Sequence, residues 1–241
     1  MKLRFLGTRG YIDPRTRLHR RHSCLQVSYR RTRVLIDWGE DWLGRWKEVP
    51  TPRALFITHV HPDHAFGLRD GAPCPVYATP DSWEKLESYP IAERRTLRRR
   101  KPVAVGPLSL EAFGVEHSTR APAVGYRISA GRAAVFYVPD LVYIYQRRAA
   151  LKGVQIYIGD GATIDRSFVR KRGDTLIGHT PVRTQMTWCR KEGVPRMIVT
   201  HCGAQIVGGD ERQLKARLRR MAAERGIDVE IARDGMDVTV R

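Results

Sequence analysis

The segment His59-Val60-His61-Pro62-Asp63-His64 restricts this chain more than any other feature. It places four ligand-capable side chains within six residues. His59 and His61 are two apart, so an extended backbone presents them on one face. Pro62 cannot donate to a strand ladder and ends the strand. The turn that follows swings Asp63 and His64 toward the same volume. The preceding run Leu55-Phe56-Ile57-Thr58 reads as a short buried strand that delivers the cluster to a sheet edge. Such a set suits a metal pair better than one ion, with the first His pair on one metal and Asp63 with His64 on the other. Imidazole and carboxylate donors suit zinc, and also manganese or iron. A solvated histidine tract explains three His and an Asp at this spacing poorly.

A binuclear site needs further donors, and three stand just after apolar runs. His117 follows Phe113-Gly114-Val115-Glu116, Asp140 follows Phe136-Tyr137-Val138-Pro139, and His201 follows Ile198-Val199-Thr200. Asp140 is the choice for a bridge, because a carboxylate has two oxygens.

Strand patterns dominate the first two-thirds of the chain. Strands are expected at Leu3–Leu6, Cys24–Tyr29, Arg33–Asp37, 53–58, Val76–Ala78, Ser109–Phe113, Val124–Ser129, Ala133–Val138, Val154–Ile158, Met197–Thr200, Val229–Ile231 and Val238–Val240. Helices are expected at Ser82–Ser88, Ile91–Arg99, Pro181–Glu192 and Asp210–Arg225. Thr180 is the expected cap of the third, and Gly193 its terminator. No linker or repeat interrupts this order, so the expectation is an α/β fold in one domain over residues 1–241, with two sheets and outer helices.

The chain carries 43 basic and 25 acidic residues, a formal charge of +18. A basic surface of this size favours a polyanionic partner, with RNA or DNA the first candidates. The competing explanation is an arginine-heavy composition, since only eight of those basic residues are Lys. Cysteines 24, 74, 189 and 202 show no CxxC spacing and read as idle thiols of a reducing compartment. The N-terminal residues lack the apolar core of a leader, and no run approaches the ~20 apolar residues of a membrane span. A cytoplasmic protein with no membrane partner is therefore expected.

His59-x-His61-x-Asp63-His64, then His117, Asp140 and His201 in that order, resembles the signature of the metallo-β-lactamase superfamily. The resemblance implies a four-layer αββα sandwich with two divalent ions at one edge, zinc first and manganese as the alternative. It implies His59, His61 and His117 on one ion, Asp63, His64 and His201 on the other, and Asp140 between them. Asp37, in Leu35-Ile36-Asp37-Trp38-Gly39, matches the family's Asp-x-Gly strand end, where it would orient a ligand His.

His179, in Gly178-His179-Thr180, lies 22 residues before His201. This resembles the histidine motif of the phosphodiesterase branch, which includes ribonuclease Z and the cyclic phosphodiesterase of phosphonate degradation. The resemblance implies that His179 contacts the scissile phosphate and assists the leaving oxygen. The helix expected after it would add an anion-favouring N-terminus. Two features depart from ribonuclease Z. Only 22 residues separate His117 from Asp140, where that enzyme usually inserts a long tRNA-gripping arm. Asp160-Gly161-Ala162-Thr163 stands where it has His-Glu-Ala-Thr, leaving Asp160 as the candidate partner of His179. The compact form looks more like the cyclic phosphodiesterase branch.

The expected activity is metal-dependent hydrolysis of a phosphodiester: RNA, DNA, a cyclic nucleotide or a cyclic sugar phosphate. His179 would act as proton donor and Asp63 would help orient the nucleophile. Arg21 and His22, in the basic loop Arg15–His22, are candidate phosphate contacts, and Arg94–Lys101 is a second basic run. The alternatives are a thioester, lactone or lactam hydrolase on the same fold, and a non-catalytic nucleic-acid-binding protein with structural metals. Homodimerisation is a further expectation of the resemblance.

Overall fold

The computed structural model describes residues 1–241. Alternation along the strands separates three apolar layers. In the first sheet, β1 (Lys2–Gly7), β2 (Cys24–Tyr29) and β3 (Thr32–Ile36) run antiparallel, and β4 (Ala54–Phe56), β5 (Val76–Ala78) and β6 (Arg94–Thr96) continue parallel to β3. The chain's last strand, β17 (Asp237–Thr239), closes the other edge against β1. Val34, Ile36, Ala54 and Phe56 turn toward the second sheet, whereas Leu35 and Leu55 turn outward. This is the period-two alternation of a sheet covered on both faces.

The second sheet begins with β7 (Val103–Val105), β8 (Leu108–Glu116), β9 (Ala123–Ala130) and β10 (Ala133–Val138), which are antiparallel. The short β11 (Tyr143–Ile144) pairs with β8. Beyond β10 the sheet turns parallel through β12 (Ile156–Asp160), β15 (Arg196–Thr200) and β16 (Asp228–Ile231). A separate hairpin, β13 (Arg170–Arg172) with β14 (Thr175–Ile177), stands off both sheets.

Leu3, Phe5, Val27 and Phe56 of the first sheet meet Leu110, Tyr126, Val135 and Ile158 of the second in one buried cluster. On the outer face of the second sheet, Phe136, Val138, Tyr157 and Val199 pack beneath Val182, Met186 and Cys189 of α4 (Val182–Glu192) and Leu218 and Ala222 of α6 (Glu211–Ala223). On the outer face of the first sheet, Leu35, Leu55 and Val76 pack beneath Trp38, Trp42, Leu68 and Leu86. The Trp38 ring stacks on both Trp42 and Trp46. The order is therefore helix, sheet, sheet, helix, as expected. Minor helices complete the chain: α1 (Pro62–Ala65), α2 (Pro80–Lys85), α3 (Arg147–Leu151) and α5 (Ala204–Val207). No helix is long and apolar enough to cross a membrane.

Two sequence expectations are corrected. Ile91–Arg99 is not a helix; Arg94–Thr96 is the edge strand β6, with its side chains exposed. Its arginines give the edge the charge that discourages pairing with another chain. Arg94 also donates to the carbonyls of Glu87 and Tyr89 at 2.9 and 2.8 Å and lies over Trp83, which seals the end of α2. Thr180 does not cap α4, because its hydroxyl donates to the Val142 carbonyl at 2.6 Å. The first two free N–H groups of that helix, on Val182 and Arg183, go to the carbonyls of Thr163 and Ile164. The helix end behind His179 therefore has no amides left for an anion. Gly193 does end the helix, in the left-handed conformation.

All four cysteines are free and buried. Burial pushes the Cys74 and Cys189 thiols up to about 12 and those of Cys24 and Cys202 well above the usual thiol range. Because the thiolate is the nucleophile, the native protein should resist iodoacetamide and take up label at all four positions only after denaturation. Mass spectrometry reads this directly. Rapid labelling of any cysteine in native protein would contradict the packing described.

Candidate metal centre

Strand ends of both sheets converge on one edge. His59 follows β4, His117 follows β8, Asp140 follows β10, Asp160 ends β12 and His201 follows β15. Pro62 opens α1, and this single turn carries Asp63 and His64 inward, where both are buried. The turn is clamped by Asp37-Trp38-Gly39. The Trp38 amide donates to the His64 carbonyl at 2.7 Å, and the Gly67 amide donates to the Trp38 carbonyl at 2.9 Å. A Cβ at Gly39 would overlap the Asp63 carbonyl, so glycine is required for this close approach. Asp37 and His201 are two of only five non-glycine residues with positive φ, at 65° and 49°. Two left-handed non-glycine residues thus sit within the cluster's own support, where such conformations must be held by their surroundings.

Two donor sets result. In the first, His59 Nε2 lies 3.0 Å from His61 Nδ1, which lies 3.3 Å from His117 Nε2. In the second, Asp63 Oδ2 lies 3.2 Å from His64 Nε2 and 3.0 Å from His201 Nε2. Asp140 Oδ2 stands between the sets, 3.4 Å from His59 Nε2, 3.2 Å from His117 Nε2 and 3.5 Å from His64 Nε2. The donor atoms of both sets lie close enough together to hold a metal ion, as do those of a third group, Asp140, Asp160, His179 and His201.

The outer nitrogens explain why the inner ones point together. His64 Nδ1 donates to Asp37 Oδ2 at 2.8 Å, and Asp37 is itself fixed by the Thr58 amide and hydroxyl. His117 Nδ1 donates to the Gly178 carbonyl at 3.0 Å. Each contact fixes the ring so that its Nε2 lone pair faces inward. His64 Nε2 is buried without a hydrogen-bond partner, its contact with Asp63 being too poorly aligned to count as one.

Charge gives an independent test of fit to a cation. Asp37, Asp63, Asp140 and Asp160 are all buried, and every ion-pair partner they have is a histidine. Burial pushes His59 well below the usual imidazole range and His61 down to about 4, so both are neutral and ready to donate lone pairs. Burial also works against the charged forms of His64 and His201. The carboxylates of Asp63 and Asp140 outweigh it and hold both rings well above their usual range. Without a metal, two protons do the work of a cation. A divalent ion would displace them.

Asp160 and His179 form the adjoining pair. His179 Nδ1 donates to Asp160 Oδ2 at 2.7 Å. Burial alone would lower the His179 pKa, but the Asp160 charge and hydrogen bond raise it. Asp160 Oδ1 accepts from the Ala162 amide at 2.8 Å and lies 3.4 Å from His201 Nδ1. Asp160 therefore fixes His179 and reaches His201, whose Nδ1 lies closer to Asp140 Oδ1, at 2.9 Å. The His179 ring stacks on His201, with centroids 5.7 Å apart, and lines a cleft of about 560 Å³ with His61, Asp63, His117 and Asp140.

Sequence reasoning missed Gln185 and Gly10. Gln185 Oε1 accepts from the Asp160 amide at 3.0 Å, and its Nε2 donates to the carbonyls of Asp160 and Thr180 at 2.8 and 2.9 Å. A Gln inside a helix carries no local signal of that role. Gly10 abuts the His201 ring, so a Cβ there would press on it at about 3.0 Å. Neither Arg21 nor His22 lines the cleft. His22 is buried, 3.0 Å from Arg9 Nη2, and its amide donates to Asp41 Oδ2 at 2.9 Å. Arg21 pairs with Glu48 at 2.7 Å and lies over Trp42. These neighbours occupy the groups proposed for phosphate.

The profile of the Beta-lactamase superfamily domain matches residues 32–202. The chain belongs to the metallo-β-lactamase superfamily. Ribonuclease Z of Mycobacterium bovis is 24% identical over 225 residues, covering 76% of this chain and 80% of that protein. A stretch of 80 residues is 36% identical to ribonuclease J of Sinorhizobium meliloti, but spans only 29% of this chain and 14% of that protein. Among solved structures, the metallo-β-lactamase fold protein YhfI from Bacillus subtilis superposes with a TM-score of 0.75 at 16% identity, covering 98% of both chains. A diphosphatase of the PhnP family superposes at 0.71 with 18% identity, covering 98% of this chain and 96% of its own. Membership places the chain among metal-dependent hydrolases, and the fold implies divalent metal ions at the clustered histidines and aspartates.

Proposed function

We propose that this metallo-β-lactamase-fold hydrolase cleaves phosphodiesters with two divalent ions, zinc first and manganese as the alternative. The observation that carries the reading is His179, on the wall of the cleft that members of both donor sets line, held from behind by buried Asp160 at 2.7 Å. His59, His61 and His117 would hold one ion, Asp63, His64 and His201 the other, and Asp140 both. The names of the ribonuclease Z relative and the PhnP-family diphosphatase are in keeping with a phosphorus ester.

When bound, the ion pair supplies an ionised water near neutral pH and offsets phosphoryl charge. The protein's own groups do the rest. Asp63 turns Oδ2 to His64 and His201, leaving its other oxygen to orient the attacking water. Asp160 holds His179 by Nδ1, so Nε2, which has no protein partner, is free for the departing oxygen. Burial opposes the charged form of His179, but the Asp160 charge and hydrogen bond favour it, which suits the ring to act as a proton donor. Asp37 keeps His64 in register without touching substrate. A cytoplasmic homodimer is part of the same proposal.

The test is a reporter panel on the metal-loaded protein: bis-p-nitrophenyl phosphate beside a thioester, a lactone and a lactam. Turnover is expected on the phosphodiester and at background on the carboxylic substrates. Turnover confined to a carboxylic substrate would overturn the assignment.

A further inference from the structure

The metal-lined cleft does not end at the metal ligands. It is continuous with a second cavity of about 640 Å³, because His61, His117, Phe168 and His179 line both. Together they form a trough that begins at Gly10, Tyr11 and Ile12, crosses the donor cluster, and leaves between Ser118 and the segment Arg166–Arg170. A pocket built for a small cyclic phosphate needs no such exit.

Aromatic rings stand on either side of the cluster. Tyr11 at one end is 61% exposed, and Phe168 at the other is 43% exposed. Neither ring is packed into a core. The cationic lining lies on the Phe168 side. Arg166 and Arg170 line the exit, and Lys171 and Arg172 continue the charge along the β13–β14 hairpin. None of these four cations is in an ion pair, so each is available to a phosphate. The Phe168 amide donates to the His179 carbonyl at 3.2 Å, which ties the ring's position to the proton donor.

A trough with an exposed ring at each end and unpaired cations flanking one of them has the parts by which proteins hold single-stranded nucleic acid: rings stack on bases and cations follow the phosphates. We infer that the substrate of this site is a single-stranded polynucleotide. It would lie across the metal cluster with bases against Tyr11 and Phe168 and with phosphates on the exit side held by Arg166 and Arg170. The inference rests on the phosphodiesterase reading and narrows it from any phosphodiester to a polymer.

The test measures binding and cleavage on the same protein. A fluorescein-labelled single strand of roughly 12 nucleotides, within the span such sites cover, is titrated by anisotropy in EDTA, as RNA and as DNA. The wild-type protein should bind, with affinity falling steeply as salt rises. Phe168→Ala should weaken binding roughly tenfold, the loss expected for one stacked base. The double change Arg166→Ala with Arg170→Ala should flatten the salt dependence by about two phosphate contacts. Phe168→Trp should retain binding, which separates loss of stacking from misfolding. With metal restored, the alanine variants should lose far more kcat/KM on the oligonucleotide than on bis-p-nitrophenyl phosphate. Turnover of that reporter by wild-type protein with no binding or cutting of either strand would overturn the inference and leave the phosphodiesterase reading standing. Equal binding by wild type and all variants would also overturn it. A metal-loaded protein inactive on both reporter and strands would remove the reading beneath it.

Discussion

Asp140→Ala is expected to abolish turnover and to strip the protein of divalent metal. Asp140 Oδ2 lies within 3.5 Å of donor nitrogens from both sets, so its loss opens both at once. Removing an outer partner of a metal ligand typically weakens metal binding by roughly 10–100-fold, and losing a shared ligand should exceed that. A second effect runs the other way. Asp140 is buried, and its charge helps hold His201 and His64 above their usual range. Without it those rings shed protons more readily, and the metal-free protein should tolerate the change. The expected signature is a folded protein with little metal, read by circular dichroism and inductively coupled plasma mass spectrometry. Retention of two ions and full activity would remove Asp140 from the role assigned to it.

His179→Ala is expected to lower kcat on a phosphodiester by roughly 10²–10⁴-fold, the range for loss of a positioned general acid, with metal content unchanged. The separation follows from geometry. His179 spends Nδ1 on Asp160 and belongs to the cleft wall, whereas His201 keeps its Nε2 contact with Asp63 whether or not His179 is present. Asp160→Asn should show a mixed result, because Asp160 touches both His179 and His201. It should cost activity and some metal affinity together. Equal loss of metal and activity in His179→Ala would mean that the residue supports the metal centre and not proton transfer.

How much of this was legible in the sequence depended on separation along the chain. The cluster from His59 to His64 is compact, and strand spacing followed by proline dictates its convergence locally. His117, Asp140 and His201 were legible only by their order after apolar runs, because nothing local marks them as neighbours of His59. Asp160 and His179 are 19 residues apart, and their contact requires β12 and the loop before α4 to meet at one sheet edge. The basic loop misled for the complementary reason. His22 looked available because its partners Arg9 and Asp41 lie 13 and 19 residues away. The same holds for Arg94–Thr96, where a charge pattern compatible with a helix was overridden by pairing with β5. The helix N-terminus behind His179 reads as free in the sequence because the acceptors of its amides, Thr163 and Ile164, lie 19 residues from their donors Val182 and Arg183. The Arg170–Ile177 hairpin left no apolar alternation to read, since only Leu176 and Ile177 within it are large and apolar.

The central claim is that phosphodiester hydrolysis depends on metal held by these two donor sets. Its most direct test is to strip the protein with a chelator, return zinc or manganese stepwise, and follow metal content and bis-p-nitrophenyl phosphate turnover on the same samples. Activity that is lost on stripping and returns as occupancy approaches two ions per chain is the predicted result. A stripped protein that keeps its activity, or a chain that binds no divalent metal, would contradict the account.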